Sequence, residues 1–373
     1  MLSLTLIYFL LILLFLFLLY IYKVVDQDSI DSTSVDNDEE RIHEFLVTCG
    51  GNHVSHLIYL HDKKLYWAQK NQVLIAYKTI FNRAIVLGDP IGDSQFFQAA
   101  IREFHVECQN NKLKPIFYQV SPKYMHMYHE NGYRFMKLGE EGLVNLKSYS
   151  LDGKQGAKLR TKFNKFSRDG YTFSVLKPPY SSDLLSEIRQ VSDSWLGDQK
   201  EKGFSVVSFS EEYVSRSPIA LLFDRDKNIV AFVTLATDFR ETIIIDLMRK
   251  LPITPHGTME VLFIHIMKWA HAHHYSYCSL GMTPLSNVGN TEQAFLTEKI
   301  LRYVFLYGNS SYNTKGLKEF KRKFACEWEP KYLAYNKTFL PFAFIQLFFV
   351  IHNPPVQPNV VVKRIKLLLR KAS

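Results

Sequence analysis

A β-branched run, Ile243-Ile-Ile, ends in Asp246-Leu-Met-Arg249. It reads as a strand whose terminus sets a carboxylate and a guanidinium beside a loop, the place where α/β proteins carry their chemistry. The two groups can pair with one another, the commonplace arrangement at a strand end. Alternatively, the cation can stabilise negative charge that develops on a substrate. Two basic stretches offer a different chemistry. Gly153–Arg168 holds six basic residues and no acidic one. On a helix, Lys154, Lys158, Lys162 and Lys165 share a face, with Arg160 in the same run. Like charges so placed repel, and a phosphate-bearing partner relieves that repulsion. The second stretch is Lys315, Lys318, Lys321, Arg322 and Lys323, interrupted by Glu319, with Leu317, Phe320 and Phe324 as a buried stripe.

Strands alternating with helices must position these groups. In the first half, Leu57–Leu60, Lys64–Trp67, Val73–Tyr77, Ala84–Leu87, Pro115–Val120 and Phe135–Leu146 read as strands. Phe96–Asn110 is helical, with Phe97, Ile101, Phe104 and Cys108 on one face. In the second half, Ile219–Phe223, Ile229–Thr237 and Thr242–Met248 read as a meander. Met259–His274 is then a helix and Tyr277–Leu280 a strand. A meander followed by helix and strand is the layout of N-acetyltransferase-like domains, and the fold class expected is a mixed α/β (α+β) sheet. Acetyltransferases of that layout, which use coenzyme A as acyl carrier, have a glycine-rich pyrophosphate cradle before the helix. Here Pro252-Ile-Thr-Pro-His-Gly257 offers one glycine, and its prolines lack N–H donors. No cofactor is therefore expected.

No metal site is expected either. His271, His273 and His274 lack acidic or cysteine partners, and Cys49, Cys108, Cys278 and Cys326 show no C-x-x-C spacing. Scattered cysteines also argue against a disulfide framework and suit a reducing compartment. The net charge of +9 favours anionic partners. Residues 1–22 carry no charge and are long enough to span a bilayer. With no small-residue cleavage pattern, they read as a single uncleaved anchor, and Lys23 places the body in the cytoplasm at the cell membrane. Asp26–Glu40 is an acidic tether, Phe339–Ile351 a core or interfacial helix, and Lys363–Lys371 a basic amphipathic segment for an anionic leaflet or a plain packing helix.

Several motifs in order carry a resemblance over roughly residues 50–335. They are Ile243–Arg249, Leu280-Gly-Met-Thr-Pro-Leu285, Gly308–Phe324 (GNSSYNTKGLKEFKRKF) and Trp328-Glu-Pro330. Together they resemble the cytosolic catalytic domain of the phosphatidylglycerol lysyltransferase family, the multiple peptide resistance factors. The resemblance implies two N-acetyltransferase-like domains in tandem, here behind the one transmembrane helix read at residues 1–22. The bounds are 1–22 anchor, 23–41 linker, 42–150 first domain, 151–170 connecting helix, 171–338 catalytic domain and 339–373 tail. It implies transfer of an amino acid, lysine foremost, from aminoacyl-tRNA (lysyl-tRNA) to phosphatidylglycerol in the membrane. The alternatives are a peptidoglycan precursor or peptide amine as acceptor, or a non-catalytic membrane protein that binds tRNA or acidic lipid. On the resemblance, Asp246 grips the α-ammonium of the aminoacyl group and Arg249 the developing oxyanion. Asn313 and Lys318 complete the catalytic set. Met282, Lys321 and Lys323 contact substrate, as can the carboxylates Glu140, Glu141 and Glu260. Lys154, Lys158, Arg160, Lys162 and Lys165 take tRNA or lipid phosphate. Lys318 stands where the family usually has Arg, so a point charge replaces a bidentate fork. Typical members also carry a dozen or so spans, against one here. The oligomeric state and the general base are not readable from the residues.

Overall fold

The structure is a computed structural model describing residues 39–307 and 314–352. The expected anchor, most of the acidic tether, Asn313 and the basic C-terminal segment lie outside the described residues. Helix α1 (Glu39–Cys49) and a 3-10 turn (Ser55–Leu60) lead into an antiparallel meander. It comprises β1 (Lys64–Ala68), β2 (Val73–Ile80) and β3 (Arg83–Leu87), with β4 (Ile91–Gly92) folded against β2. Helix α2 (Phe97–Asn110) crosses to β5 (Lys114–Val120), parallel to β3. Then come α3 (Met125–His129), β6 (Arg134–Asn145) and the basic helix α4 (Gly153–Arg168).

The second half repeats the plan. After β7 (Thr172–Leu176), α5 (Ser182–Leu196) and α6 (Glu211–Val214) comes the meander β8 (Ile219–Phe223), β9 (Ile229–Thr237) and β10 (Thr242–Lys250). Helix α7 (Thr258–Ala272) crosses to β11 (Tyr277–Pro284), parallel to β10. Helices α8 (Leu296–Tyr307) and α9 (Thr314–Lys321), strand β12 (Glu327–Tyr335) and helix α10 (Leu340–His352) complete the described chain.

The mixed α/β sheet is the one expected, but its strand order was not. It runs β1-β2-β3-β5-β12-β6-β11-β10-β9-β8-β7. Each half's last strand therefore lies in the other half: β12 pairs with β5, and β6 pairs with β11. The two exchanged strands pair with one another from Glu327↔Leu143 to Tyr335↔Arg134. This seam carries Glu329 and Lys331 into the middle of the sheet, beside Glu141.

Local sequence explains most elements. Phe97, Ile101, Phe104 and Cys108 are all buried on α2, as their spacing requires. Leu57–Leu60 is the exception. The expected strand is part of the 3-10 turn, in which all six residues are buried. Four consecutive apolar residues bury equally well in either form, so periodicity could not decide. Helix α10 buries Ala343, Leu347 and Val350, and Gln346 accepts a hydrogen bond from Arg83 Nε, so it packs as a core helix. Among the described residues, no helix is long and apolar enough to cross a membrane.

Candidate active site

Two irregularities open the sheet where the halves meet. Strands β10 and β11 pair only from Thr242↔Tyr277 to Ile244↔Ser279, and beyond that point they are no longer paired. On β10 the register to β9 shifts between Ile245 and Met248, and on β11 the register to β6 shifts between Ser279 and Met282. Gly281 sits in the second shift at φ 73°, a left-handed conformation that glycine adopts without strain. The first shift is a bulge at Asp246. The Leu247 N–H it displaces donates to Thr234 Oγ1 at 3.0 Å, and that hydroxyl in turn donates to Asp246 Oδ2 at 3.3 Å.

Asp246 is thus held from three sides. Besides Thr234, the Tyr213 hydroxyl donates to Oδ2 at 2.7 Å, and His56 Nε2 lies 3.2 Å from Oδ1. Burial and the adjacent carboxylate hold the Tyr213 phenol well above its ordinary range, so it remains a donor. Arg249 does not pair with Asp246. Its guanidinium donates to Glu201 Oε2 at 2.9 Å and lies 3.9 Å above the Trp195 ring. Arg249 Nε is buried without a partner.

A second polar group lies on the seam. Lys331 Nζ is 2.8 Å from Glu141 and 3.1 Å from Glu329, and the Ser279 hydroxyl donates to Glu141. Burial pushes the Glu141 carboxyl up, but Lys331, His53 and Ser279 together bring it down to about 2. Lys321 Nζ donates to the carbonyls of Gly281 and Met282 at 2.9 and 3.1 Å. Burial outweighs the pull of Glu141 there and lowers the Lys321 amine to about 7. His53, lowered to about 4 chiefly by burial, lies within the fields of both Glu141 and His56.

Residues 44–335 match the family described as phosphatidylglycerol lysyltransferase, C-terminal. The chain belongs to that family. It is 40% identical over 302 residues to the phosphatidylglycerol lysyltransferase of Bacillus subtilis (strain 168), covering 81% of this chain and 35% of that protein. It is 39% identical over 288 residues to the Staphylococcus xylosus phosphatidylglycerol lysyltransferase, covering 77% and 34%. The chain thus spans about a third of the length of these curated relatives. Among solved structures it is similar to L-PGS from Bacillus licheniformis, with TM-score 0.76 and 40% identity over 86% of this chain and 99% of that one. The C-terminal domain of a putative lysylphosphatidylglycerol synthetase from Agrobacterium fabrum gives 0.75 and 31% over 85% and 97%. FemX, at TM-score 0.52 and 9% identity over 82% and 98%, shares the fold.

The other residues singled out in this lysyltransferase-family chain fall into three places. Glu140 is bound by Lys137 at 2.8 Å, Ser286 at 2.9 Å and Asn287 at 2.8 Å, and Lys318 lies 3.7 Å away. Glu260 is bound by Lys162 at 2.8 Å and Lys323 at 2.9 Å. Burial raises its carboxyl, and these two lysines bring it down to about 2. Lys162 therefore leaves the shared face expected of the basic helix, because an acid lies within reach on α7. Arg160 folds back to the carbonyls of Leu151 and Gly153, while Lys154, Lys158 and Lys165 are exposed.

On the other side of β10, a cavity of about 500 Å³ is lined by Met248, Lys250, the loop Thr254–Glu260, Leu317 and Phe320. Ile253, in the segment between β10 and α7, is 97% exposed. His53, His56, Tyr213, Thr234, Glu201 and Lys331 were not found from sequence. The only signal was the Gly50-Gly-Asn-His-Val-Ser-His56 run, and His56 is 190 residues from the carboxylate it meets.

Proposed function

We propose that this chain is an aminoacyltransferase that moves an amino acid, lysine foremost, from aminoacyl-tRNA to the glycerol hydroxyl of phosphatidylglycerol. The observation that carries this reading is the 40% identity over 302 residues to a relative named phosphatidylglycerol lysyltransferase. One ester is exchanged for another, so no ATP is needed, and catalysis rests on positioning and charge stabilisation. Arg249, three residues beyond the bulge on the same strand, is the group we assign to face an oxyanion. Residues 1–22 would anchor the chain at the membrane, with the body in the cytoplasm. The test is purified protein, labelled lysyl-tRNA and phosphatidylglycerol vesicles, with label followed into the chloroform phase. Absence of labelled lipid with both lysyl and alanyl donors removes the reading.

The exposed Lys154, Lys158 and Lys165 form the face that would meet the tRNA backbone. Their triple replacement by alanine is expected to weaken tRNA binding equally for all sequences. It should also flatten the dependence of log affinity on log salt by about two to three, near one per lost phosphate contact. Filter binding across a salt series measures this.

The cavity beside Ile253 suits the membrane end of the lipid, whose glycerol hydroxyl would pass between the unpaired ends of β10 and β11 to the Asp246 face. The cavity wall is largely apolar, and the Lys250 ammonium, held 3.0 Å from Thr254 Oγ1, stands within it. An isoleucine left in water gains by entering a bilayer. Ile253→Asp should reduce transfer to vesicle-embedded phosphatidylglycerol about tenfold, the equivalent of losing about 1.4 kcal/mol of contact. Transfer to a short-chain, water-soluble phosphatidylglycerol should be unaffected. Equal losses on both acceptors would remove Ile253 from the bilayer.

A further inference from the structure

His56 leaves one polar atom unaccounted for. The residue is 7% exposed, and Nδ1 is buried with no hydrogen-bond partner. Orphaned buried polar atoms are rare and costly, and where they persist they call for an explanation. The other ring nitrogen supplies one. Nε2 faces Asp246 Oδ1 at 3.2 Å, and a carboxylate offers only acceptors, so Nε2 carries the proton and Nδ1 the lone pair. Asp246 is itself fixed by Tyr213 and Thr234.

The histidine is fixed from its own side too. Val54 N donates to Asn52 Oδ1 at 3.0 Å, Asn52 N to Ser55 Oγ at 2.7 Å, and Asn52 Nδ2 to the Asp89 carbonyl at 3.0 Å. That turn clamps the loop in front of His56 over the place where β10 leaves β11. Carboxylate, oriented imidazole and a free ring lone pair are the parts of a general base.

We infer that His56 is the catalytic base for the acceptor hydroxyl, with Asp246 as its positioning residue. The inference rests on the transfer reaction proposed above. In the reaction the hydroxyl gives its proton to His56 Nδ1, and its oxygen bonds to the carbonyl carbon of the aminoacyl ester. The bond from that carbon to the ribose oxygen breaks, and the departing oxygen takes the proton back from Nδ1. One ester forms and one is lost, and His56 ends neutral. Asp246 steadies the transient imidazolium. This assigns Asp246 a different task from gripping the substrate's ammonium, since three donors from the chain itself already converge on its carboxylate.

Two measurements on the full chain test this. Nitrogen-15 spectra of histidine-labelled protein, with the His56 signal assigned by its loss in His56→Gln, should show the neutral ring protonated at Nε2. A ring protonated at Nδ1 overturns the inference whether or not the protein transfers lysine. In the vesicle assay, His56→Ala should lose about 10³-fold in kcat, and added imidazole should restore at least tenfold. A merely structural histidine would show no such rescue. Transfer within threefold of wild type in His56→Ala, which would leave Lys321 as the available base, overturns it. Wild-type protein that makes no labelled lipid defeats the transfer reading itself, a separate outcome from either failure.

Discussion

Asp246→Asn is expected to lower kcat for lipid aminoacylation by about 10³–10⁴, with little change in KM for the donor. The substitution keeps the shape and one carbonyl oxygen, which can still accept from Tyr213 and Thr234, the two donors at Oδ2. The amide nitrogen then meets His56 Nε2, at the 3.2 Å position now held by Oδ1. That contact requires Nε2 to accept, which moves the imidazole proton to Nδ1 and removes the lone pair a hydroxyl would need. The competing role predicts a different pattern. A carboxylate that gripped the aminoacyl ammonium would contribute to binding of the ground state as well, and its loss would raise KM. Steady-state kinetics at varied lysyl-tRNA, with circular dichroism to confirm the fold, separate the two. A variant with wild-type kcat and raised KM would return Asp246 to the ammonium.

What sequence disclosed and what it concealed follow from distance along the chain. Asp246 and Arg249 were visible because one strand end carries both. Their partners were not, because His56, Tyr213 and Glu201 come from separate loops and short helices. The pairing of Asp246 with Arg249 that their spacing allows does not form. The bulge at residue 246 gives Asp246 to Thr234 and His56, while Arg249 meets Glu201 at 2.9 Å. The basic helix was legible in its limits, Gly153–Arg168, and in its exposed lysines. Its one inward lysine was not, since Lys162 is separated from Glu260 by 98 residues. Strand exchange was hidden for a related reason. Nothing in the alternation of Glu327–Tyr335 says which half's sheet it enters, because burial on either side of a neighbour looks the same in a period of two.

Lys331→Met should cost about 3–5 kcal/mol of stability, the largest loss expected from a single substitution outside the cleft. Lys331 is 2% exposed and Glu141 likewise 2%, so removal of the ammonium strands a carboxylate in the interior without its one direct ion-pair partner among the described residues, with the Ser279 hydroxyl as its remaining hydrogen-bond donor. The effect should be undone in large part by Glu141→Gln in the same chain. An amide and a thioether need no countercharge, and apolar replacements of whole buried pairs are often neutral. Urea unfolding of the two single variants and the double variant gives the coupling directly.

The pH dependence follows from the same pair. Glu141 is held at about 2 in the folded chain, against 4.5 when free. A depressed carboxyl contributes stability above its free value and loses it as pH falls toward the folded one, so wild type should weaken between about pH 4.5 and 2. Glu141→Gln should remove part of that limb, the remainder belonging to Glu260, which is likewise held at about 2. The seam explains why so much rests on two side chains. β6 and β12 are the strands each half lends to the other, and Lys331 on β12 reaches Glu141 on β6 where they cross the sheet's centre. A pair in that position ties the register of both exchanged strands, and with it the spacing between Ser279, Gly281 and the bulge that carries Asp246. Lys331→Met protein that folds with wild-type stability would show that apolar pairing along β6 and β12 sets the register without the charges.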